Sequence, residues 1–471
     1  MLFSSSIFLF LFLPLMLLGY YGPCRLLGRW SRPAQNLLLL VGSLLFYAWG
    51  EPWFVLVMMA SILVNYAFGL WVHAQKSRGK STRVSVVLSV ASNLGLMFVF
   101  KYLTFVLGEL GRLWLSLTVP VIELPLGISF FTFQAMSYVL DVNRDRGQVQ
   151  RNPLKVALYI SFFPQLIAGP IIKYKDLDDQ LEHRTHSPEQ FASGVQVFVV
   201  GLAKKVLLAN NLGMLWDAYK AMPVSELTTA GAWLGIVAFS LQLYFDFSGY
   251  SDMAIGLGRM LGFEFIPNFN YPYISKSITE FWRRWHISLG TWFREYLYIP
   301  LGGNRVSKPR LVFNRLIVWA ATGIWHGASW NFLLWGLYFA ALLIVEKFFL
   351  LRYLKRLPAV LQHLYALFFV LVSWAIFAVE DFSHMGAYLG AMFGMAQGGL
   401  ADAAFGYYLR SYGLTLLAGC AASLPLGAGL WRRLREQPRL VLLPILVLAG
   451  LLFSTAYLVD ATYNPFLYFR F

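Results

Sequence analysis

One histidine lies inside a long stretch of the chain that carries no formal charge. His326 stands in the sequence GIWHGASW, and residues 316–345 contain no Asp, Glu, Lys or Arg. Ionisable side chains in such apolar segments are costly and rare, and by default they mark functional sites. An imidazole can act there as a general base because its ordinary pKa lies near neutral pH. His326 is therefore the first candidate for a catalytic residue, and a core histidine bound to a backbone carbonyl is the alternative.

A second histidine, His286, precedes His326 by forty residues and lies in the motif RRWHISLGTWFREY. We predict that it assists the same site by orienting a donor or the other histidine, whereas an interfacial histidine beside Trp and Arg is the alternative. Arginines flank it, and each could bind a phosphate through two hydrogen bonds, although anchoring to lipid headgroups is the simpler interpretation for any one of them. They are Arg283, Arg284, Arg294 and Arg305.

Polar and aromatic side chains elsewhere in the apolar segments are weaker candidates for lining a donor site or a tunnel. They are Ser129, Gln134, Asp246, Ser248, Trp285, Arg294, Tyr296, Trp325, Trp330 and Asn331. Asp246 and Asp252 are six positions apart, which places them about 240° apart around a helix, so they do not form a paired-carboxylate site. A structural, hydrogen-bonding role is the favoured interpretation for both carboxylates.

Several common catalytic and metal-binding patterns are absent from the sequence. It contains no G-x-S-x-G, P-loop or H-E-x-x-H motif. Its two cysteines, Cys24 and Cys420, show no metal-ligand spacing. The stretch DLDDQLEHRTH at 176–186 is interpreted as a solvated loop, because nothing fixes a ligand geometry there. We therefore predict no metal site and no permanently bound cofactor.

The composition indicates that the elements positioning these residues are membrane-spanning helices. Of the 471 residues, 58% are hydrophobic and 13% are charged, whereas an average soluble domain has about 25% charged residues. The formal net charge is +15, and the basic residues lie in short loops between apolar segments, as in membrane proteins whose loops face an anionic leaflet. Membrane lipid is therefore an expected partner, and nucleic acid is not.

Apolar segments of about 20 residues are predicted to span the bilayer. The candidates are 3–22, 36–49 with 53–73, 84–107, 154–172, 191–212, 230–246, 316–349, 359–379, 408–428 and 440–459, with shorter or broken segments at 126–141, 248–263 and 384–397. Several breaks coincide with Gly or Pro, and broken helices at membrane depth are tolerated only where protein or a cavity covers them. We therefore predict an all-α bundle that encloses a cavity, in a single domain over 1–471 without internal repeats.

The stretch 264–315 mixes aromatic, basic and proline residues and does not fit a spanning helix. Ser277 and Glu280 have the spacing of a capping box. The helix that follows would bring three side chains onto one stripe, namely Trp282, His286 and Leu289. The sequence PLGGNR at 300–305 predicts a turn. We interpret the stretch as an amphipathic interfacial or vestibule segment, followed by a long helical segment over 316–349 that carries the first candidate histidine.

Basic loops predict the orientation in the membrane. They lie at 25–32, 75–83, 352–356 and 431–439. The hairpin 36–73 joins the first two loops, so both face the cytoplasm by the positive-inside rule and the N-terminus faces outside. The N-terminal apolar run lacks a basic n-region and a small-residue cleavage site, so it is predicted to be a retained first span. The C-terminal residues 464–471 are aromatic and carry no lipidation signal.

With these motifs in view, the chain resembles the membrane-bound O-acyltransferase family. FWRRWHISLGTWFREYLYIPLGGNR (281–305) and TGIWHGASWNFLLWG (322–336) are similar to the family's two-histidine signature. DFSGYSDMAIGLGRMLGF (246–263), FFPQLIAGPI (162–171) and the terminal YNPFLYFRF (463–471) resemble the bacterial branch that acetylates alginate, which is related to the teichoic-acid D-alanylation proteins. The similarity covers nearly the whole chain.

The resemblance implies a ring of tilted and broken transmembrane helices around a funnel, with a tunnel through the bilayer. The family's intramembrane histidine corresponds to His326 and its second signature histidine to His286. It implies that an acyl group, most simply acetyl, passes from a cytoplasmic thioester, acetyl-CoA or a carrier-bound acyl group, towards a polysaccharide hydroxyl outside. His326 would act as general base, and a covalent acyl-histidine relay is the alternative.

The resemblance also implies a bacterial inner-membrane location and a periplasmic or extracellular SGNH-like acetyltransferase partner that completes the transfer to polysaccharide. D-alanyl transfer to a cell-wall polymer is one alternative. A proton-coupled transporter is another, because intramembrane histidines in broken helices can form a proton relay, but it predicts an internal repeat. A non-catalytic scaffold for polysaccharide export is a third, and it predicts that His326 is dispensable.

Overall fold

The computed structural model describes residues 1–113, 119–434, 436–460 and 463–467, and these ranges contain helices and no β-strand. Arg435 in the last basic loop and residues 468–471 lie outside the described residues. Within the described ranges, eight helices are long and apolar enough to span a membrane: Phe8–Leu26, Phe54–Ser77, Arg83–Arg112, Pro188–Lys220, Thr229–Met260, Trp330–Leu354, Ala359–Ala378 and Leu440–Asp460. The bent pair Ala403–Ala422 and Leu426–Arg433 would make a ninth. The chain is an all-α polytopic membrane protein, as its composition predicts.

The chain folds into two compact units. The first comprises Met1–Phe198 and Ser251–Ile266, and the second comprises Val199–Tyr250 and Pro267–Phe471. Besides its spanning helices, the first unit contains Ser31–Ala48, Ile128–Asn143, Pro153–Ser161, Phe163–Leu166, Tyr174–Leu177 and Gln180–His183. The second adds Ile278–Arg284, Ile287–Phe293, Lys308–His326 and Phe382–Gly390. The division into two compact units does not test the prediction of a single domain over 1–471, which stays a prediction.

A buried helix forms the centre of the first unit. Ile128–Asn143 buries nearly all of its side chains and packs against Phe54–Ser77 and Arg83–Met97. Between those two helices, Asn65 and Asn93 exchange side-chain hydrogen bonds of 3.1 and 2.7 Å. An amide left unpaired in an apolar interior is costly, so this reciprocal pair stabilises the contact.

The predicted span over 154–172 is wrong. The helix that begins at Pro153 ends at Ser161, where Phe162 leaves the helical conformation with φ −53° and ψ 111°. Pro164 and Pro170 follow, and proline cannot supply the N–H that a continuing helix needs. Residues 162–172 are all buried, so the break is covered by protein, as a break at membrane depth requires.

The predicted division between the segments 230–246 and 248–263 is also wrong, because one helix runs from Thr229 to Met260. Gly249, which lies between the two predicted segments, is at a close contact within the second unit. A Cβ added there would lie 2.7 Å from the carbonyl oxygen of Gly201. The glycine therefore permits two helix backbones to approach and does not interrupt its own helix.

The segment 316–349 is divided immediately after His326. The helices Lys308–His326 and Trp330–Val345 form a pair that we name the His326 hairpin, and Gly327, with φ −174° and ψ 163°, ends the first of them. The two helices approach closely where a Cβ added to Gly336 would lie 2.3 Å from the carbonyl oxygen of Trp319. The hairpin places His326 at the end of a helix, next to the turn.

The segment 264–315 is capped as predicted at its first helix but does not form the predicted stripe. Ser277 Oγ accepts a hydrogen bond from Glu280 N–H at 3.0 Å, while the Glu280 carboxylate accepts from Lys276 N–H at 2.9 Å. The helix Ile278–Arg284 then ends, and Trp285 is extended. His286 therefore lies outside that helix and precedes the next one, Ile287–Phe293. The predicted turn at 300–305 is confirmed by positive φ angles at its two glycines.

Candidate active site

His286 is held in a strained backbone conformation in the second unit. Its φ of 44° and ψ of 54° lie in the left-handed region, which residues with a Cβ seldom adopt. The backbone on both sides is bound to a neighbouring segment, because Asn270 N–H donates to Arg284 O and Ile287 N–H donates to Asn268 O, each at 2.9 Å. Strain of this kind recurs at functional sites, and here it fixes the imidazole between two short helices.

The side chain of Asn268 determines which ring nitrogen of His286 carries a proton. Asn268 Oδ1 accepts from Ser288 N–H at 3.1 Å and from the Ser288 hydroxyl at 2.9 Å, and it lies 3.2 Å from His286 Nδ1. Because a carbonyl oxygen only accepts hydrogen bonds, Nδ1 is assigned as the donor. Nε2 is then the unprotonated nitrogen of the neutral ring.

The environment of His286 favours that neutral form. The residue is 1% exposed, and burial, followed by the charge of His326, holds the pKa of His286 well below its ordinary value. Its ring packs perpendicular to Phe247 at a centroid distance of 4.6 Å and contacts Trp325 at 6.0 Å. A buried ring that donates from Nδ1 and is packed between aromatic side chains suits an orienting role.

His326 lies against aromatic side chains at the end of its helix. It is 8% exposed, and its ring is perpendicular to Trp335 at 5.0 Å and to Phe377 at 5.5 Å. Trp325 contacts it at 5.1 Å and, as described above, also contacts His286. One indole therefore touches both imidazoles, so the two histidines that the sequence predicts belong to one site.

A small cavity of about 20 Å³ adjoins His326. Its other lining residues are all apolar or aromatic, namely Leu243, Phe247, Trp285, Trp335, Trp374 and Phe377. A cavity of this size has room for about one water-sized group. A small acyl methyl or one water molecule fits beside the imidazole, and a long chain does not fit without rearrangement.

A larger cavity of about 420 Å³ adjoins His286 in the same unit. Its lining includes Trp282, Trp319 and Thr322 together with three arginines, Arg283, Arg294 and Arg315. Arg283 and Arg294 are exposed, and neither has a hydrogen-bond or ion-pair partner among the described residues. Small-molecule sites commonly enclose 300–1,000 Å³, so the volume suits a small-molecule ligand, with two cationic groups free for an anion.

The other predicted residues of the second unit lie at different distances from these cavities. Trp285 lines the small cavity and Arg294 lines the large one. Asn331 is buried, and its Nδ2 donates to Phe377 O at 3.0 Å, which fixes a wall of the small cavity. Tyr296 is buried against Trp292 at 5.1 Å. Trp330 is instead 48% exposed and lines neither cavity.

Asp246 and Ser248 are buried in the second unit but line neither cavity. Asp246 pairs with Lys205 at 2.7 Å and accepts from Leu467 N–H at 2.9 Å. Lys205 also donates to the carbonyl oxygen of Pro465 and, at 2.8 Å, to Asn210 Oδ1. This ion pair binds the chain segment 463–467 to the core, which is the hydrogen-bonding structural role that the sequence favours for Asp246.

Ser129 and Gln134 belong to the first unit, on the buried helix Ile128–Asn143. Lys101 Nζ donates to Ser129 Oγ at 3.2 Å. The side-chain amide of Gln134 is fully buried and has no hydrogen-bond partner among the described residues. Both remain candidates for lining a polar passage.

The acidic and histidine side chains of the stretch 176–186 contact different partners and do not converge on one point. Asp178 accepts from Tyr174 OH at 2.6 Å, His183 pairs with Asp179 at 2.8 Å, and His186 Nε2 lies 2.9 Å from Tyr20 OH. Burial, with the charges of Arg32 and Arg184, lowers the pKa of His186 to about 4. Within the described residues, no three His, Cys, Asp or Glu side chains are placed to hold a metal ion.

Sequence reasoning missed most of the aromatic wall and the residues that support the histidines. Trp335, Trp374 and Phe377 occur at helical spacings that core residues share, so no sequence signal separates them. Asn268 lies in an irregular segment, and the spacing of residues in the sequence does not predict its contacts with His286 and Ser288. Glu346, a buried carboxylate after the second helix of the His326 hairpin, could have been singled out from the sequence, because it is the first charged residue after the charge-free run.

Comparison with known proteins gives the family and its closer branches. The profile of the membrane-bound O-acyltransferase (MBOAT) family matches residues 39–383. The chain is 43% identical over 408 residues to "Probable alginate O-acetylase AlgI" of Azotobacter vinelandii, covering 85% of this chain and 80% of that protein. It is 34% identical over 415 residues to the peptidoglycan O-acetyltransferase of Helicobacter pylori, covering 81% and 77%. It is 30% identical over 305 residues to the teichoic acid D-alanyltransferase of Bacillus subtilis, covering 58% and 75%.

Proposed function

The chain belongs to the membrane-bound O-acyltransferase family as an O-acetyltransferase, and we propose that it moves an acetyl group from a cytoplasmic thioester across the membrane for O-acetylation of a polysaccharide. The observation that carries this proposal is the pair of histidines joined by Trp325, one beside a cavity of about 420 Å³ and the other beside one of about 20 Å³. The O-acetylating relatives support the same chemistry.

His326 acts as the general base in this proposal. It takes the proton of the acceptor hydroxyl as the hydroxyl oxygen attacks the thioester carbonyl carbon, the new C–O bond forms, and the C–S bond breaks. The proton then passes to the departing thiolate, so the products are an ester and a free thiol. A positioned base of this type contributes about 10²–10⁴-fold, and holding both reactants in a water-poor site adds to that factor.

His286 orients the donor or His326. Its Nδ1 proton is committed to Asn268, and burial keeps the ring neutral. The strained backbone and the contact with Trp325 hold the ring in one position. Removing it should therefore impair the reaction less than removing His326.

The donor is acetyl-CoA in this proposal. The large cavity holds the thioester arm, and Arg283 and Arg294 bind the phosphates, since guanidinium groups suit bidentate contacts with phosphate oxygens. A D-alanyl group fits less well, because no acidic side chain lines the small cavity and its volume of about 20 Å³ leaves no room for an added ammonium group.

The acceptor side involves a separate protein. We place the chain in a bacterial inner membrane with its N-terminus outside, where a periplasmic or extracellular SGNH-like acetyltransferase passes the group on to an exported or cell-surface polysaccharide. The positive-inside rule supports this orientation. Alginate and peptidoglycan are the acceptors that the relatives' names suggest.

Purified protein in liposomes tests the proposal. Radiolabelled acetyl-CoA is supplied, and free thiol and label transfer are followed for the wild type, His326→Ala, His286→Ala and the control His384→Ala, whose histidine lines neither cavity. We expect the wild type and the control to consume the donor, and His326→Ala to lose nearly all turnover. A wild type that uses only a carrier-bound acyl group would refute the donor, and one that consumes no thioester would refute acyl transfer.

A further inference from the structure

Glu346 is a fully buried carboxylate that the proposed chemistry does not use. It is 0% exposed and directly follows the second helix of the His326 hairpin. The described residues place no Lys, Arg or His side chain within ion-pair distance of it. A buried carboxylate without a counter-charge is costly unless hydrogen bonds satisfy it, so its contacts require a reason.

Three hydrogen bonds from the first turn of one helix satisfy this carboxylate, and the Tyr365 side chain of the helix Ala359–Ala378 also interacts with it. Oε1 accepts from Ile278 N–H at 2.6 Å, and Oε2 accepts from Thr279 N–H at 2.8 Å and from the Thr279 hydroxyl at 2.6 Å. These lengths are typical of the stronger hydrogen bonds made by ionised acceptors.

The first amides of the helix Ile278–Arg284 are thereby all bound. Ser277 accepts from the third amide, that of Glu280, and Glu346 accepts from the first two. Helix ends otherwise leave these groups without partners. The cap from Ser277 is local in sequence, whereas the cap from Glu346 comes from 68 positions away.

This contact joins the supports of the two histidines. The helix Ile278–Arg284 carries Trp282 and Arg283 of the large cavity and leads, through Trp285, directly into His286. Glu346 continues the hairpin that carries His326. We propose that Glu346 is a positioning residue, which sets the segment carrying His286 relative to the His326 hairpin. This inference rests on the proposed acyl transfer for its kinetic consequence only.

The substitution Glu346→Gln separates this role from simple packing. Gln has the same length and nearly the same shape, but its NH₂ group cannot accept a hydrogen bond, so at least one of the two amides loses its partner. The matched control is Glu280→Gln, because the partly exposed Glu280 carboxylate pairs with Arg284 and accepts from Lys276 N–H, but neither caps the first two amides of the helix nor lines a histidine cavity. Both variants remove one acidic charge near the same helix.

The structural half of the proposal is tested without activity, by hydrogen–deuterium exchange of the full-length protein in detergent. We expect peptides covering 278–286 to exchange at least tenfold faster in Glu346→Gln than in the wild type, and peptides from Ala403–Ala422 to be unchanged. Glu280→Gln should leave the exchange of 278–286 within about twofold of the wild type. Unchanged exchange of 278–286 in Glu346→Gln would overturn the proposal.

The kinetic half is a double-mutant cycle on acetyl-CoA consumption. We expect Glu346→Gln alone to lower kcat by about tenfold or more. Without the Glu346 hydrogen bonds, the segment that carries His286 is no longer held in position. In the background of His286→Ala, the same substitution should cost less than about twofold further. Non-additivity of this size shows that the two residues act as a unit.

The outcomes separate this inference from the proposed function. If the wild type consumes acetyl-CoA while Glu346→Gln turns over normally, or if the two substitutions lower kcat additively, the positioning role is refuted and acyl transfer stands. If the wild type consumes no thioester, acyl transfer is refuted, and the exchange rates alone decide whether Glu346 holds the segment.

Discussion

Gly336→Ala is the perturbation whose effect on the site can be worked from distances. The added Cβ would lie 2.3 Å from the carbonyl oxygen of Trp319 and 3.2 Å from the Cα of Gly323. A comfortable carbon–oxygen contact is about 3.3 Å or more. The two helices of the His326 hairpin must therefore separate by about 1 Å, and the obstacle is backbone, which cannot rotate away.

That displacement reaches the His326 ring directly. Trp335, the neighbour of Gly336, lies on one helix and contacts His326 on the other at 5.0 Å. A misplacement of about 1 Å in a catalytic arrangement can cost about 10²-fold in rate, while overpacking typically costs about 1–3 kcal/mol of stability. We therefore expect a larger effect on kcat for acetyl-CoA than on the folded fraction.

The assay compares kcat per folded molecule, taken from the monodisperse peak of purified protein, for Gly336→Ala and the control Gly413→Ala. Gly413 lies inside the helix Ala403–Ala422, where an added Cβ meets nothing within 4 Å. The control should keep wild-type turnover and gain up to about 1 kcal/mol from its better helix propensity. Wild-type turnover in Gly336→Ala would refute the claim that the close approach of these helices sets the position of His326.

Three further predictions follow from the charged groups. Lys205→Met should lower the thermal unfolding midpoint strongly, because breaking a buried ion pair typically costs about 3–5 kcal/mol. Adding Asp246→Leu should recover part of the loss. If Lys205→Met alone were as stable as the wild type, the buried pairing would be contradicted. The pKa of His186 is lowered to about 4, so this histidine binds a proton less readily in the folded than in the unfolded state. The free energy of unfolding should therefore be highest above about pH 6.5 and should fall as the pH drops towards 4. The variant His186→Gln should show a smaller fall. Arg283→Ala should raise KM for acetyl-CoA about tenfold with less change in kcat, whereas Arg305→Ala, outside the large cavity, should leave KM unchanged.

The sequence predicts the membrane class and both histidines because each leaves a local signal. His326 stands out against a charge-free run, and His286 belongs to a dense aromatic and basic motif. The turn after His326 could not be located from hydropathy, since residues on both sides of it are equally apolar. The strained conformation of His286 depends on Asn268 and on the bonded segment around it, which are tertiary contacts that no spacing encodes.

The errors along the chain have a common cause. Glycine and proline mark breaks in a sequence, but the effect of each depends on its neighbours. Pro164 follows the end of a helix that was predicted to continue, whereas Gly249 lies within a continuous helix because its missing side chain admits the backbone of Gly201. Only the packing partner distinguishes a hinge from a contact.

Single-turnover cleavage of acetyl-CoA by His326→Ala shows whether His326 is the general base, provided that the variant has the same unfolding midpoint as the wild type. We expect the rate of thiol release to fall by about 10²-fold or more, in line with the loss of a general base. A rate within about twofold of the wild type would show that the imidazole in GIWHGASW is not the catalytic base.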